Sequence, residues 1–118
     1  MKLIKTAERC IFEEESLFQY KDKEEVLVKV CDVFRMLSEP SRLKIVLTLL
    51  NGELCVYDIL QSVGGTQSAL SHQLRVLKDN RILRSRRSGQ NIYYSLADDH
   101  VKQMVLLGLV HGDCGGEE

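Results

Sequence analysis

The chain has 118 residues, 44% of them hydrophobic, with 16 basic and 17 acidic side chains and a formal net charge of −1. That length holds one domain with a small core, which obligate pairing of two copies would reinforce. No run of about 18 apolar residues is present to cross a bilayer. The first residues lack a signal peptide's apolar core and cleavage site, so a cytoplasmic protein with reduced thiols is expected, with no membrane partner.

The near-neutral total hides an uneven distribution. Residues 1–25 carry seven acids and five bases, and residues 97–118 carry five acids against Lys102 alone. Positive charge therefore gathers in the middle, as on a nucleic-acid-facing surface backed by acidic ends. The four cysteines, Cys10, Cys31, Cys55 and Cys114, include no CxxC pair. They read as thiols open to metal or redox chemistry rather than as a disulfide framework.

Two domains of unequal weight are expected: an arm at 1–22 and a folded unit at 23–118. The arm reads as loosely helical from Lys5 to Phe18, with Glu13, Glu14 and Glu15 toward water and a break at Tyr20-Lys21-Asp22-Lys23. From Glu24, the spacing of Val26, Val30, Val33, Phe34 and Leu37 predicts an amphipathic helix. Ser38 as N-cap and Pro40 in the first turn open a second helix, with Leu43, Val46, Leu47 and Leu50 inward. Asn51-Gly52 ends it. A third, short helix covers Cys55 to Val63, closed by Gly64-Gly65.

Thr66 to Leu96 is the most informative stretch. Ala69, Leu70, Leu74 and Leu77 form an apolar stripe at helical spacing after a Thr66 N-cap. The opposite face carries Gln67, Ser68, Ser71, His72 and Arg75, short polar groups and one guanidinium, which suit a helix reading base edges in a major groove. Beyond Asn80 the period becomes alternating. Ile82 to Arg87 and Asn91 to Leu96 read as two strands joined through Ser88-Gly89-Gln90, with Ile92, Tyr94 and Leu96 on one face. The stretch holds six bases against one acid, a net of +5, with Arg84, Arg86 and Arg87 placed to meet phosphates. A helix, a glycine turn, a recognition helix and a basic hairpin make a winged helix-turn-helix. The fold class is mainly α with a small β-hairpin (α+β).

Asp98 to His111 reads as a last helix, apolar on more than one face through Val101, Met104, Val105, Leu106 and Leu109. In so short a chain such a helix finds a partner, and a homodimer through the N- and C-terminal helices is expected, its two-fold axis matching a palindromic site on double-stranded operator DNA. An enzyme is not expected. His72 lies near Ser68 and Ser71, but no third group orients it, and no glycine-rich phosphate loop appears.

LSEPSRLKIVLTLL at 37–50, ELCVYDI at 53–59, QSALSHQLRVLKDNRIL at 67–83 and RRSGQNIYYSL at 86–96 together resemble the ArsR/SmtB family of winged-helix, metal-responsive repressors. The resemblance implies a homodimer that sits on an operator and releases it when an inducer binds.

Two groups of residues could serve as metal sites. His100 and His111 are eleven residues apart, about 16 Å along a helix, too far to share an ion within one chain. Two antiparallel copies remove the difficulty: Asp98 and His100 from one chain would meet His111 and Cys114 from its mate. Oxygen, two imidazoles and a thiolate suit Zn(II), with Cd(II) or Co(II) as alternatives. The spacing is similar to the C-terminal-helix zinc site of SmtB-like sensors, with Cys114 at a position where those carry Glu or His. The second group is Cys55 and Asp58, three apart on one helix face, with Cys10 and Glu14 from the arm. The family has such a cadmium or lead site, with a second cysteine where Tyr57 stands here, and an ordinary buried role is the simpler reading of Cys55. Some relatives instead sense oxidants or persulfides through a thiol pair; Cys31 and Cys114 would be that pair, although Cys31 sits between Val30 and Val33 as a core residue would.

Overall fold

The computed structural model describes residues 3–5, 10–12 and 17–114. In the arm, β1 (Leu3–Lys5) pairs antiparallel with β2 (Cys10–Phe12), Ile4 opposite Ile11. The expected helix is therefore corrected over those residues: Ile4, Ile11 and Phe12 are strand formers, which a purely amphipathic count overlooks. Glu13 to Glu15 lie outside the described residues. A 3-10 turn at Phe18–Asp22 precedes the first helix.

Five helices follow, with a small sheet: α1 (Glu24–Leu37), α2 (Pro40–Thr48), β3 (Leu54–Cys55), α3 (Val56–Val63), α4 (Gln67–Asp79), β4 (Leu83–Ser88), β5 (Asn91–Leu96) and α5 (Asp99–Cys114). The sheet order is β3-β5-β4, all antiparallel. The expected hairpin thus gains a third strand, too short for alternation to reveal. It takes Cys55 out of the helix and into a strand opposite Tyr93.

The local signals explain most boundaries. Pro40 forces its predecessor into extended backbone, so Glu39 (φ −96°, ψ 129°) is the N-cap of α2 and Pro40 its first residue. Ser38 instead closes α1, donating its hydroxyl to the Arg35 carbonyl at 2.8 Å. Thr66 caps α4 as expected, accepting from the Ala69 amide at 3.2 Å. The far end of α4 closes in a Schellman turn. The Ile82 amide reaches the Leu77 carbonyl at 2.9 Å, and the Arg81 amide the Lys78 carbonyl at 3.0 Å. Arg81 takes the left-handed position (φ 63°) that glycine usually fills. Leu77 and Ile82, which bracket it, are both buried in the core.

The core is made of Ile45, Val46 and Leu49 from α2, Ile59 from α3, Leu70, Leu74 and Leu77 from α4, Ile82 and Leu83 entering β4, and Val101 and Val105 from α5. Ala69, assigned to the inward stripe of α4, is exposed. No residue of α1 is fully buried, and Val28, Val30 and Phe34 lie open on it. Cys31, expected in the core, is also exposed. The apolar stripe of α1 is broader than one chain can cover.

Candidate nucleic-acid interface and metal site

The core face of α4 fixes what its other face presents. With Leu70, Leu74 and Leu77 inward, Gln67, Ser68, Ser71, His72 and Arg75 are all exposed. Gly64 (φ 78°) and Gly65 (φ 83°) make the tight turn that sets α4 against α3. A brace with no local sequence signature holds α4 to α2: Arg42 Nε donates to Gln73 Oε1 at 2.9 Å, and Gln73 Nε2 donates to Ser41 Oγ at 3.3 Å. Partners more than thirty residues apart leave no periodic trace.

The wing is the β4–β5 ribbon, with Ser88 opposite Asn91 across the two-residue Gly89-Gln90 turn. Gly89 at φ 63° supplies the first position of a hairpin turn that an L-residue resists. A groove of about 740 Å³ runs between α3, α4 and β5, with Arg75 and Lys78 on one wall, Gln90 and Asn91 on the other and Tyr57 at its lip. Tyr57 is 66% exposed. No periodic or motif signal marks an exposed tyrosine at this position.

The three wing arginines are in different states. Arg87 makes no ion pair among the described residues, and Arg84 Nε donates to Ser95 Oγ at 3.2 Å. Arg86 is engaged on two sides. Its Nε and Nη2 donate to Glu53 Oε2 and Oε1 at 2.7 and 2.8 Å, and its guanidinium lies 4.8 Å over the Tyr93 ring. Those hydrogen bonds hold the Glu53 carboxyl below its ordinary value and raise Arg86 above its own.

At the start of α5, Asp98 Oδ1 accepts from the Val101 amide at 3.1 Å, and Asp98 Oδ2 stands 3.4 Å from His100 Nδ1. Asp98 thus orients His100 while capping the helix. His111 and Cys114 are exposed at the other end of the same helix. Among the described residues no three metal-ligating side chains of one chain come together: Asp98 and His100 meet at one end of α5, and His111 and Cys114 lie at the other. Cys55 and Asp58 do meet: the thiol donates to Asp58 Oδ2 at 3.4 Å. The thiol sits at the N-cap of α3 and is half-buried. Cys10 lies in β2, and Glu14 falls outside the described residues.

A recognition helix braced on a helical core, flanked by a basic two-stranded wing, defines a winged helix-turn-helix protein. The chain belongs to the ArsR family of bacterial regulatory proteins, whose family model matches residues 39–85. It is 43% identical over 76 residues to a transcriptional repressor SmtB homolog of Synechocystis, covering 64% of this chain and 58% of that protein. A cadmium resistance transcriptional regulatory protein CadC homolog of Staphylococcus aureus is 43% identical over 83 residues, covering 70% of this chain and 69% of the relative. Among solved structures, a homodimeric winged helix-turn-helix DNA-binding domain from Mycobacterium bovis superposes with a TM-score of 0.74 at 31% identity, covering 77% of this chain and 84% of that one. None of the helices among the described residues is long and apolar enough to cross a membrane.

Proposed function

We propose that this chain is a metal-responsive transcriptional repressor. It binds double-stranded operator DNA as a homodimer and leaves it when Zn(II), or a related divalent ion, occupies a site shared by the two subunits. The observation that carries the DNA reading is the exposed polar face of α4 beside a basic wing. Gln67, Ser68, Ser71, His72 and Arg75 contact bases and nearby phosphates, and Arg84 and Arg87 contact phosphates from the wing. Two copies place two α4 helices in successive major grooves.

The homodimer reading is supported by apolar surface with no use inside one chain: Val28, Val30 and Phe34 on α1, and Leu106, Leu107, Leu109 and Val110 on α5. With α5 antiparallel to its mate, the Asp98–His100 pair faces His111 of the partner subunit and Cys114 of the partner subunit. The bound ion supplies a bridge that favours one relative orientation of the subunits. Asp98 holds the His100 ring in place, and the two side chains would hold the ion together with the partner's His111 and the partner's Cys114. Repression and release are thermodynamically linked. A hundredfold loss of operator affinity requires the ion to bind the free dimer only about 2.7 kcal/mol more tightly than the DNA-bound one.

An electrophoretic shift on the region upstream of its own gene, with zinc or a chelator, tests this. His100→Gln and His111→Gln each leave DNA binding intact and abolish the response to zinc; variants that still respond would remove the α5 site from the mechanism. A second reading rests on the exposure of both Cys31 and Cys114: a thiol pair open to oxidants or persulfides, for which Cys31→Ser would abolish the response and leave zinc binding untouched.

A further inference from the structure

We infer that Arg86 is a positioning residue for DNA binding and not a phosphate contact: clasped by Glu53 and laid over Tyr93, it sets the angle of the wing relative to α4. This rests on the DNA-binding reading above.

The topology gives the clasp its leverage. Arg86 on β4 is the cross-strand partner of Tyr93 on β5, and Tyr93 is in turn the partner of Cys55 on β3. Glu53 immediately precedes β3. The Arg86–Glu53 pair therefore starts on the outer strand of the wing, crosses β5 and ends at the segment that leads into the helix-turn-helix. A two-stranded ribbon extending from a small domain twists and bends easily. A two-pronged contact from its outer strand to the body removes that freedom.

The chemistry of the pair argues against a phosphate role. Both carboxylate oxygens are taken at 2.7 and 2.8 Å and one guanidinium face is covered by an aromatic ring. A guanidinium so paired is part of a neutral unit and adds little to the field that draws phosphates. Arg87, on the opposite face of β4, carries its charge unpaired among the described residues. An exposed pair of this kind adds little to global stability, so its contribution is to geometry.

The test is fluorescence anisotropy of the full chain on a labelled duplex from the region upstream of its own gene, across a range of salt. Arg87→Gln flattens the slope of log affinity against log salt by about one. Arg86→Gln weakens binding several-fold with the slope retained, and the double exchange Glu53→Arg with Arg86→Glu recovers most of what Arg86→Glu alone loses. Amide hydrogen exchange over residues 84–95 quickens in Arg86→Gln and not in Arg87→Gln. The inference is overturned if Arg86→Gln flattens the slope as Arg87→Gln does, if the double exchange binds no better than Arg86→Glu, or if wing exchange is unaltered in Arg86→Gln. Absence of salt-dependent binding by the unaltered protein would instead overturn the DNA reading, with the exchange data still deciding whether the clasp holds the wing.

Discussion

Helices α4 and α5 bury aliphatic side chains in the same core and turn opposite kinds of surface outward. Behind Leu70, Leu74 and Leu77, α4 exposes glutamine, serine, histidine and arginine. Behind Val101 and Val105, α5 exposes Leu107 at 70% and Val110 at 62%, with Leu106 and Leu109 beside them. A polar outward face is stable in water and open to a polar ligand. An outward face of four aliphatics gains from being covered, since each such side chain contributes about 1.5–3 kcal/mol when fully buried. The proposed division of roles follows that contrast in composition, α4 for nucleic acid and α5 for a second copy of the chain.

The largest effect should come from breaking the apolar half of that contrast. Leu107→Glu places a charge in the proposed seam, and sedimentation equilibrium should show monomers where the unaltered chain is dimeric. Ser71→Glu, the same acid on the outward face of α4, should leave the dimer intact and abolish operator binding. A dimeric Leu107→Glu variant would mean that α5 is not the seam.

The shared core should respond next. Leu74 is 1% exposed, and Leu74→Ala should cost about 2–5 kcal/mol in urea unfolding. A smaller sharpening comes from Thr66→Ala, which removes the α4 N-cap at a cost of about 1 kcal/mol. That change should weaken operator binding through fraying of Gln67 and Ser68 while leaving dimerisation alone.

The smallest effect concerns pH. The hydrogen bonds from Arg86 depress the folded-state pKa of Glu53 below its ordinary value of 4.5. A depressed carboxylate contributes stability that is present above the unfolded-state pKa and is lost as pH falls through the folded-state value. Any stability advantage of the unaltered chain over Glu53→Gln should therefore be present at neutral pH and fade in the acid range below 4.5. A difference that grew on acidification would contradict the pairing.

Periodicity and capping made the central elements legible. The α4 stripe, the Thr66 cap, the Gly64-Gly65 turn and the Asn91–Leu96 strand all follow from contacts between near neighbours in sequence. Features that depend on distant partners were not legible. Strand β3 is two residues long and exists through its pairing with Tyr93 and Tyr94; the Arg42–Gln73 brace and the Arg86–Glu53 clasp each join residues more than thirty apart. The arm misled for a different reason, because its three-residue strands contain too few side chains for either period to register. Of the four candidate metal ligands, one chain brings Asp98 to His100 and leaves His111 and Cys114 at the other end of α5.

Subunit complementation tests the shared site most directly. Purified His100→Gln and His111→Gln dimers should each bind no zinc at the α5 site. After the two are mixed and allowed to exchange subunits, half of the dimers contain one chain of each kind. Every such dimer has one site with both imidazoles intact, so about a quarter of the unaltered protein's zinc capacity should return. If both imidazoles came from a single chain, or neither served as a ligand, mixing would restore nothing.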